Sequence, residues 1–353
     1  MADNKDILLE RKERCGLVTL NRPQALNAIS YDMIAQMERH YIEWGRDAYI
    51  YGIILQSADK RVFCSGGDLK ALYAWWKAGK LQTIKEHCVT EYQHNWTLDR
   101  FIKPHVSLID GYVFGGGVGI SLYGTHKVAG PNYRFAMPEV RIGFFPDVGA
   151  SYFLSRLPGQ IGLYLALTGV QIDRADAFAL GLVTHCIDTK EFAAIRELMS
   201  DAVPIDPVLD ARHVDPGPSE LLEKHELIDR HFSYRSVEEI LASLDRTAGA
   251  EAEWAKQTAR KIRKGAPNSL KTAFHLVRKT GQPSLEDALA LDAQLALIFL
   301  EREEFYEGIR AMLIDKDGAP HWSPKTLEEI SEAEIAANFV PERRGFRPKN
   351  PFA

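Results

Sequence analysis

The sequence is poor in cysteine, and its four cysteines, Cys15, Cys64, Cys88 and Cys186, form no CxxC pair and no metal-like spacing. That argues against a disulfide framework or a thiolate zinc site and reads as reduced thiols in a cytoplasmic protein. Long apolar runs are missing too: no stretch approaches the roughly 18 residues of a membrane-spanning helix, so no membrane partner is expected. The N-terminus "MADNKDILLE" is acidic and without a hydrophobic run, unlike a signal peptide or an Arg-rich transit peptide. There is no basic block, and the formal net charge is −5, which gives no reason to expect nucleic acid. An anionic ligand would have to rely on local basic groups, because overall charge will not steer it in.

Cofactor and nucleophile signatures are equally absent. GxGxxG does not fit, because the sixth position from Gly115 is Ile120 and from Gly117 is Leu122. There is no Walker A lysine. Ser121 sits in "GISLY" and Ser65 in "CSGGD", so neither lies in a GxSxG elbow. The eleven histidines form no HxxxH or HExxH pair, and no metal site or separate cofactor is expected. His105, His126 and His185, beside strands, read as core or satisfied polar residues. Cys64 abuts a glycine loop, yet sequence ties no histidine to it, which disfavours a catalytic thiol.

What is present is an ordinary globular composition, 46% hydrophobic and 26% charged over 353 residues. "ILLERKE", "RCG" and "LVTL" read as strand, turn and strand. Ser30 can cap a helix with apolar face Ile34, Met37, Tyr41 and Trp44, stopping at Gly45. "YIYGIILQS" is a buried strand leading to "FCSGGD". A helical stretch over roughly 69–100 follows, then "HVSLID" as a strand and "GYVFGGGVG" opening onto a helix around 120–123. "HKVAG" and "YRFAM" are short strands, and helices are expected near 150–157 and in "RADAFALGLV". The alternation predicts an α/β fold with parallel pairing. After about residue 190 the pattern changes: "VPIDPVLDARHVDPGPSE" reads as a linker, and one long helix is expected through 284–313. The expected division is a core over 1–190 and a mainly helical extension over 191–353.

Two glycine loops, "CSGGD" (64–68) and "FGGGVG" (114–119), each follow a buried strand and precede a helix. Such loops bring unpaired backbone N–H groups to a ligand, suiting a phosphate or an oxyanion, or they simply permit tight turns. Between Met137 and Phe145 the chain is strongly apolar, yet Glu139 follows Pro138 and Asp147 follows Pro146. Each proline fixes the entry of its acid. These acids either cap the next helix or pair with Arg134 or Arg141, or their apolar surroundings raise their pKa for acid–base work.

Taken together, these stretches resemble the crotonase (enoyl-CoA hydratase/isomerase) superfamily, from "LVTLNRPQALNAIS" through "FCSGGD", "GYVFGGGVGISL" and "FAMPEVRIGFFPDVGASYFLSRLPG" to "LALTG…ADAFALGLVTHCI". The resemblance implies a crotonase-like spiral of ββα turns with a helical C-terminal region, and an acyl-CoA as ligand. It also implies an oxyanion hole of two backbone N–H groups, at Gly67 and Gly116 by position. Hydratases of the family carry two catalytic glutamates. One matches Glu139; the other's position is Gly119 here, which argues against hydration. Asp147 in "FFPD" stands where hydratases have Pro-Gly.

That pattern, with "EEFYEGIRAMLIDKDGAPHW" (303–322), resembles the 3-hydroxyisobutyryl-CoA hydrolase branch of valine breakdown. It implies catalytic roles for Glu139 and Asp147 and substrate contacts from Glu91, Gly116, Glu139 and Asp147. Ala150, where relatives often have glycine, is a departure that concerns packing. Family members are often trimers or paired trimers, so the resemblance implies a homo-oligomer, trimer or hexamer. The alternatives are a hydratase/isomerase-type lyase, a thioesterase for another 3-hydroxyacyl-CoA, and a non-catalytic acyl-CoA-binding protein.

Overall fold

The computed structural model describes residues 5–278, 284–340 and 345–353. Among these residues nine strands occur in chain order: β1 (Ile7–Lys12), β2 (Cys15–Leu20), β3 (Gly52–Ser57), β4 (Val62–Cys64), β5 (His105–Ile109), β6 (Tyr112–Phe114), β7 (His126–Ala129), β8 (Arg134–Ala136) and β9 (His185–Cys186). They divide into a six-stranded sheet of order β1-β2-β3-β5-β7-β9 and a three-stranded sheet of order β4-β6-β8. Only β1 and β2 pair antiparallel; every other pair is parallel. Each turn of the chain therefore lays one strand in the large sheet and one in the small sheet, then crosses back. That is the expected spiral of ββα turns. The buried, unalternating runs of β3 and β5 are what a parallel sheet covered on both faces requires.

Helix α1 (Tyr31–Arg46) begins as expected, with the Ser30 side chain accepting from the Met33 N–H at 3.3 Å. It does not stop at Gly45. A Cβ there would overlap the ring of Phe352, from the far end of the chain, so the glycine serves packing and not termination. The stretch expected as one helix over 69–100 is two, α2 (Leu69–Lys77) and α3 (Leu81–Asp99), parted at Gly79 with φ +69°. Helix α4 (Gly116–Leu122) starts several residues earlier than expected, which makes Gly116 its first residue.

Beyond residue 190 the described residues are helical, but two readings need correction. The segment read as a linker contains a helix, Ile205–Asp210, with Pro207 in its first turn where a missing N–H costs nothing. The single helix expected over 284–313 is broken at Leu300–Arg302 into Leu285–Phe299, Glu303–Ile309 and a π-helical turn, Arg310–Ile314. One hydrophobic cluster runs from Ile7 to Leu327 and includes Phe299 and Phe305. Buried side chains of this size each contribute about 1.5–3 kcal/mol, so these helices are tied to the spiral by its own core.

Candidate active site

Gly67 is placed by a clasp between two distant stretches. Ile29 donates to the Gly66 carbonyl at 2.8 Å, Asp68 donates to the Ile29 carbonyl at 2.9 Å, and Ser65 donates to the Leu26 carbonyl at 3.1 Å. Arg22 bridges to the Asp68 carboxylate at 2.7 Å, and that carboxylate caps α2 through the Ala71 N–H at 3.1 Å. The neighbours of Gly67 are thus paired, while among the described residues its own N–H has no acceptor. Gly116, at the first position of α4, has no intrahelical acceptor for its N–H either. The two meet closely: a Cβ on Gly116 would stand 3.3 Å from the Gly67 nitrogen and overlap Glu91 Oε1. Gly115, with φ +48°, would bring a Cβ 2.7 Å from Glu139 Oε1. These glycines are required by close approach as well as by the turn.

Gly67, Glu91, Gly116, Glu139 and Asp147 all line one cavity of about 630 Å³. Glu139 and Glu91 are each only 6% exposed, and each has one carboxylate oxygen without a hydrogen-bond partner. Asp147 is less enclosed and accepts from the Tyr92 hydroxyl at 2.7 Å. Neither acid of the proline-flanked pair follows the structural alternative. Glu139 meets no arginine among the described residues, and the helix after Asp147, Ala150–Leu154, takes no side-chain cap.

Burial pushes the pKa of Glu139 well above the carboxylate range, with Asp147 and Glu91 adding repulsion. Burial, then Asp147, does the same to Glu91. Burial also raises Asp147, partly offset by the Tyr92 hydroxyl. His87 Nε2 lies 4.0 Å from Glu91 Oε2, but burial lowers the imidazole to about 4, so it is neutral and supplies no counter-charge. Cys64 is pushed up to about 12 by burial and is no nucleophile at neutral pH. The three strand-side histidines are held structurally, His105 by Tyr41, His126 by Asp206 and His185 by Asp210.

The raised acids predict a pH dependence. Each keeps its proton in the fold after the unfolded chain has released it, so the unfolded state binds fewer protons and stability falls as pH rises. The loss begins near pH ~4, where unfolded Asp and Glu ionise, and is complete only above the raised folded values. Buried His87 and His105, whose pKa burial lowers, act in the opposite sense below about pH 6.5. Thermal melts from about pH 6.5 to 9 should therefore show Tm declining with pH, and a flat or rising Tm there would contradict the assigned shifts.

The position of the second hydratase glutamate is closed. A Cβ on Gly119 would come within 2.8 Å of Asn95 Nδ2 and 2.9 Å of the Val148 side chain. The loop that carries Asp147 therefore fills the space a glutamate would need. Sequence reading missed Tyr92, the partner of Asp147. It also missed the far wall of the cavity, Leu300, Phe305, Met312 and Leu313. The first was adjacent to Glu91; of the second, Phe305, Met312 and Leu313 had a signal in the branch-like segment 303–322 and Leu300 had none.

The ββα spiral is that of the enoyl-CoA hydratase/isomerase family, whose model matches residues 15–339, and the chain belongs to it. Among characterised relatives it is similar to a mitochondrial 3-hydroxyisobutyryl-CoA hydrolase of Danio rerio, 37% identical over 93% of this chain and 87% of the relative. It is likewise similar to the human mitochondrial 3-hydroxyisobutyryl-CoA hydrolase, 36% identical over 95% of this chain and 88% of that one. Arabidopsis thaliana 3-hydroxyisobutyryl-CoA hydrolase 1 is 35% identical, covering 96% and 92%. Among solved structures, a carnitinyl-CoA dehydratase from Mycobacterium thermoresistibile superposes with a TM-score of 0.89 at 34% identity, covering 96% of this chain and 97% of that chain. An enoyl-CoA hydratase from Rhodobacter sphaeroides gives 0.89 at 30%, covering 95% and 97%.

Proposed function

We propose that this cavity hydrolyses an acyl-CoA thioester, 3-hydroxyisobutyryl-CoA by preference, and so serves valine catabolism. The observation that carries the reading is the convergence of two unpaired amides with Glu139 and Asp147, combined with a closed Gly119 position. Amides already aimed at a developing oxyanion stabilise it without reorganisation. The Gly67 and Gly116 N–H groups polarise the thioester carbonyl. Glu139 then either attacks the carbonyl carbon, giving a mixed anhydride that water opens, or removes a proton from the attacking water. In both routes the carbon–sulfur bond breaks, oxygen from water enters the acid, and the thiolate leaves and takes up a proton. Asp147 orients the water or the substrate 3-hydroxyl, with Glu91 assisting at that end.

Lys70, Arg141 and Lys316 also line the cavity, and none forms an ion pair among the described residues. In a chain of net charge −5, they are the local cations an anionic CoA ester needs. The four cysteines are unpaired and buried, which supports a reducing compartment.

A lyase reading is favoured by the names of the solved neighbours, but hydration needs a second carboxylate where Asn95 and Val148 now close the space. The test is thiol release across a panel of acyl-CoAs, with crotonoyl-CoA absorbance followed in parallel. The expected result is CoA release, fastest with 3-hydroxyisobutyryl-CoA, and no loss of the crotonoyl double bond. Hydration without thiol would overturn the reading. Asp147→Asn should lower kcat by about 10²-fold, within the range of a lost acid–base group; an unchanged kcat would remove Asp147 from the chemistry.

A further inference from the structure

The loop that presents Asp147 is strained. Val148 is β-branched and has φ +50°, and Gly149 follows at φ +79°. A β-branched residue in the left-handed region is strained and persists only where its surroundings hold it. Three contacts do so, on three successive residues. Tyr92 on α3 donates to Asp147 Oδ2 at 2.7 Å, the Tyr123 hydroxyl donates to the Val148 carbonyl at 2.5 Å, and the Gly149 N–H donates to Asp292 Oδ2 at 2.6 Å.

Asp292 is the unexpected member. It sits midway along the helix Leu285–Phe299, in the run "ALALDAQLAL" where Gln294 is the only other polar residue, is 0% exposed, and its Oδ1 has no partner among the described residues. Burying a carboxyl group for one hydrogen bond is costly, and an apolar side chain would pack the helix better. No step of the hydrolysis uses it. Among the described residues its one hydrogen bond is to the backbone of the turn that aims Asp147. The titratable groups around it are Tyr92 on α3, Tyr123 after α4, and Asp147 itself.

We propose that Asp292 is a positioning residue for Asp147: through the Gly149 N–H it holds the strained Val148 turn in the conformation that turns Asp147 into the cavity. Asp292 thereby acts on the chemistry without lining the cavity. The proposal rests on the hydrolase reading for its kinetic consequence and on geometry alone for the anchor.

Two variants separate the roles. Asp292→Asn retains an oxygen acceptor for Gly149 and should keep kcat within about threefold of the parent. Asp292→Leu removes the acceptor and should lower kcat about 10²-fold, as a small misplacement of a reacting group does, with KM nearly unchanged. Its acid limb should also move to lower pH, because an Asp147 released towards water loses the burial that raised it. If Asp292→Leu yields no folded protein, Asp292→Ser, too short to reach Gly149, is read in its place.

A merely structural role would lower Tm and leave kcat and the acid limb of the folded fraction unchanged, and that result would overturn the proposal. Amide exchange at Gly149 needs no substrate. It should accelerate at least tenfold in the Leu or Ser variant and stay near parental in Asn, and equal exchange in all of them would also overturn it. Should the parent free no thiol from any ester, the hydrolase reading fails by itself, and the exchange rates still decide the anchor.

Discussion

Glu139→Gln should lower kcat for CoA release by about 10³-fold or more, with KM within a few fold of the parent. Both routes use the ionised form of Glu139, reached above its raised pKa: as nucleophile it forms the anhydride, and as base it takes the proton of water. The amide is isosteric, so the cavity wall and the Gly115 approach are preserved, and the loss falls on the transition state and not on binding. Stability should move the other way. Glu139 is buried with one oxygen unpaired, and its raised pKa makes the ionised form a burden on the fold above the ordinary carboxylate range. The variant should therefore melt higher than the parent at pH 8 and show a shallower decline of Tm with pH. Parental turnover would remove Glu139 from the mechanism; parental turnover with a raised Tm would mark it as a buried acid without function.

Gly116→Ala should strike the oxyanion site directly. Its Cβ overlaps Glu91 Oε1 and stands 3.3 Å from the Gly67 nitrogen. The carboxylate can swing aside only within a crowded site, and the methyl crowds the space between the two amides. Loss of one oxyanion donor costs about 10²–10³ in kcat, and that is the fall expected here. Gly67→Ala is the control. A Cβ there meets nothing within 4 Å and Gly67 does not have a positive φ, so the amide should stay in place and kcat should fall less than about tenfold. Equal effects of the two substitutions would contradict the geometry.

What the sequence revealed and what it hid divide along range. Glu139 and Asp147 stood out because an acid fixed by a proline in an apolar run is a local anomaly. The glycine loops stood out because two such loops followed buried strands. Gly119 carried information only through the family resemblance. Its physical meaning, a space filled by Asn95 and Val148, appears only once the chain is folded.

The small sheet was only partly legible: β8 was read in "YRFAM", but β4 and β6, three residues each and running straight into the glycine loops, are too short to show alternation. Gly45 looked like a helix stop because its reason, Phe352, lies at the other end of the chain. The break at Leu300–Arg302 interrupts a helical pattern that continues across it, and packing against the spiral decides it. Asp292 was not singled out in the sequence, and its partner is a backbone N–H at Gly149. No sequence pattern names such a pairing.

The central claim is that the Gly67 and Gly116 amides grip one acyl oxygen while Glu139 and Asp147 face the same carbon. A crystal structure with a non-hydrolysable thioester analogue of 3-hydroxyisobutyryl-CoA tests it most directly. The account predicts the acyl oxygen roughly 2.7–3.1 Å from both amide nitrogens, with both carboxylates directed at the reacting carbon. An acyl oxygen bound away from the two glycines, or either carboxylate turned out of the cavity, would contradict it.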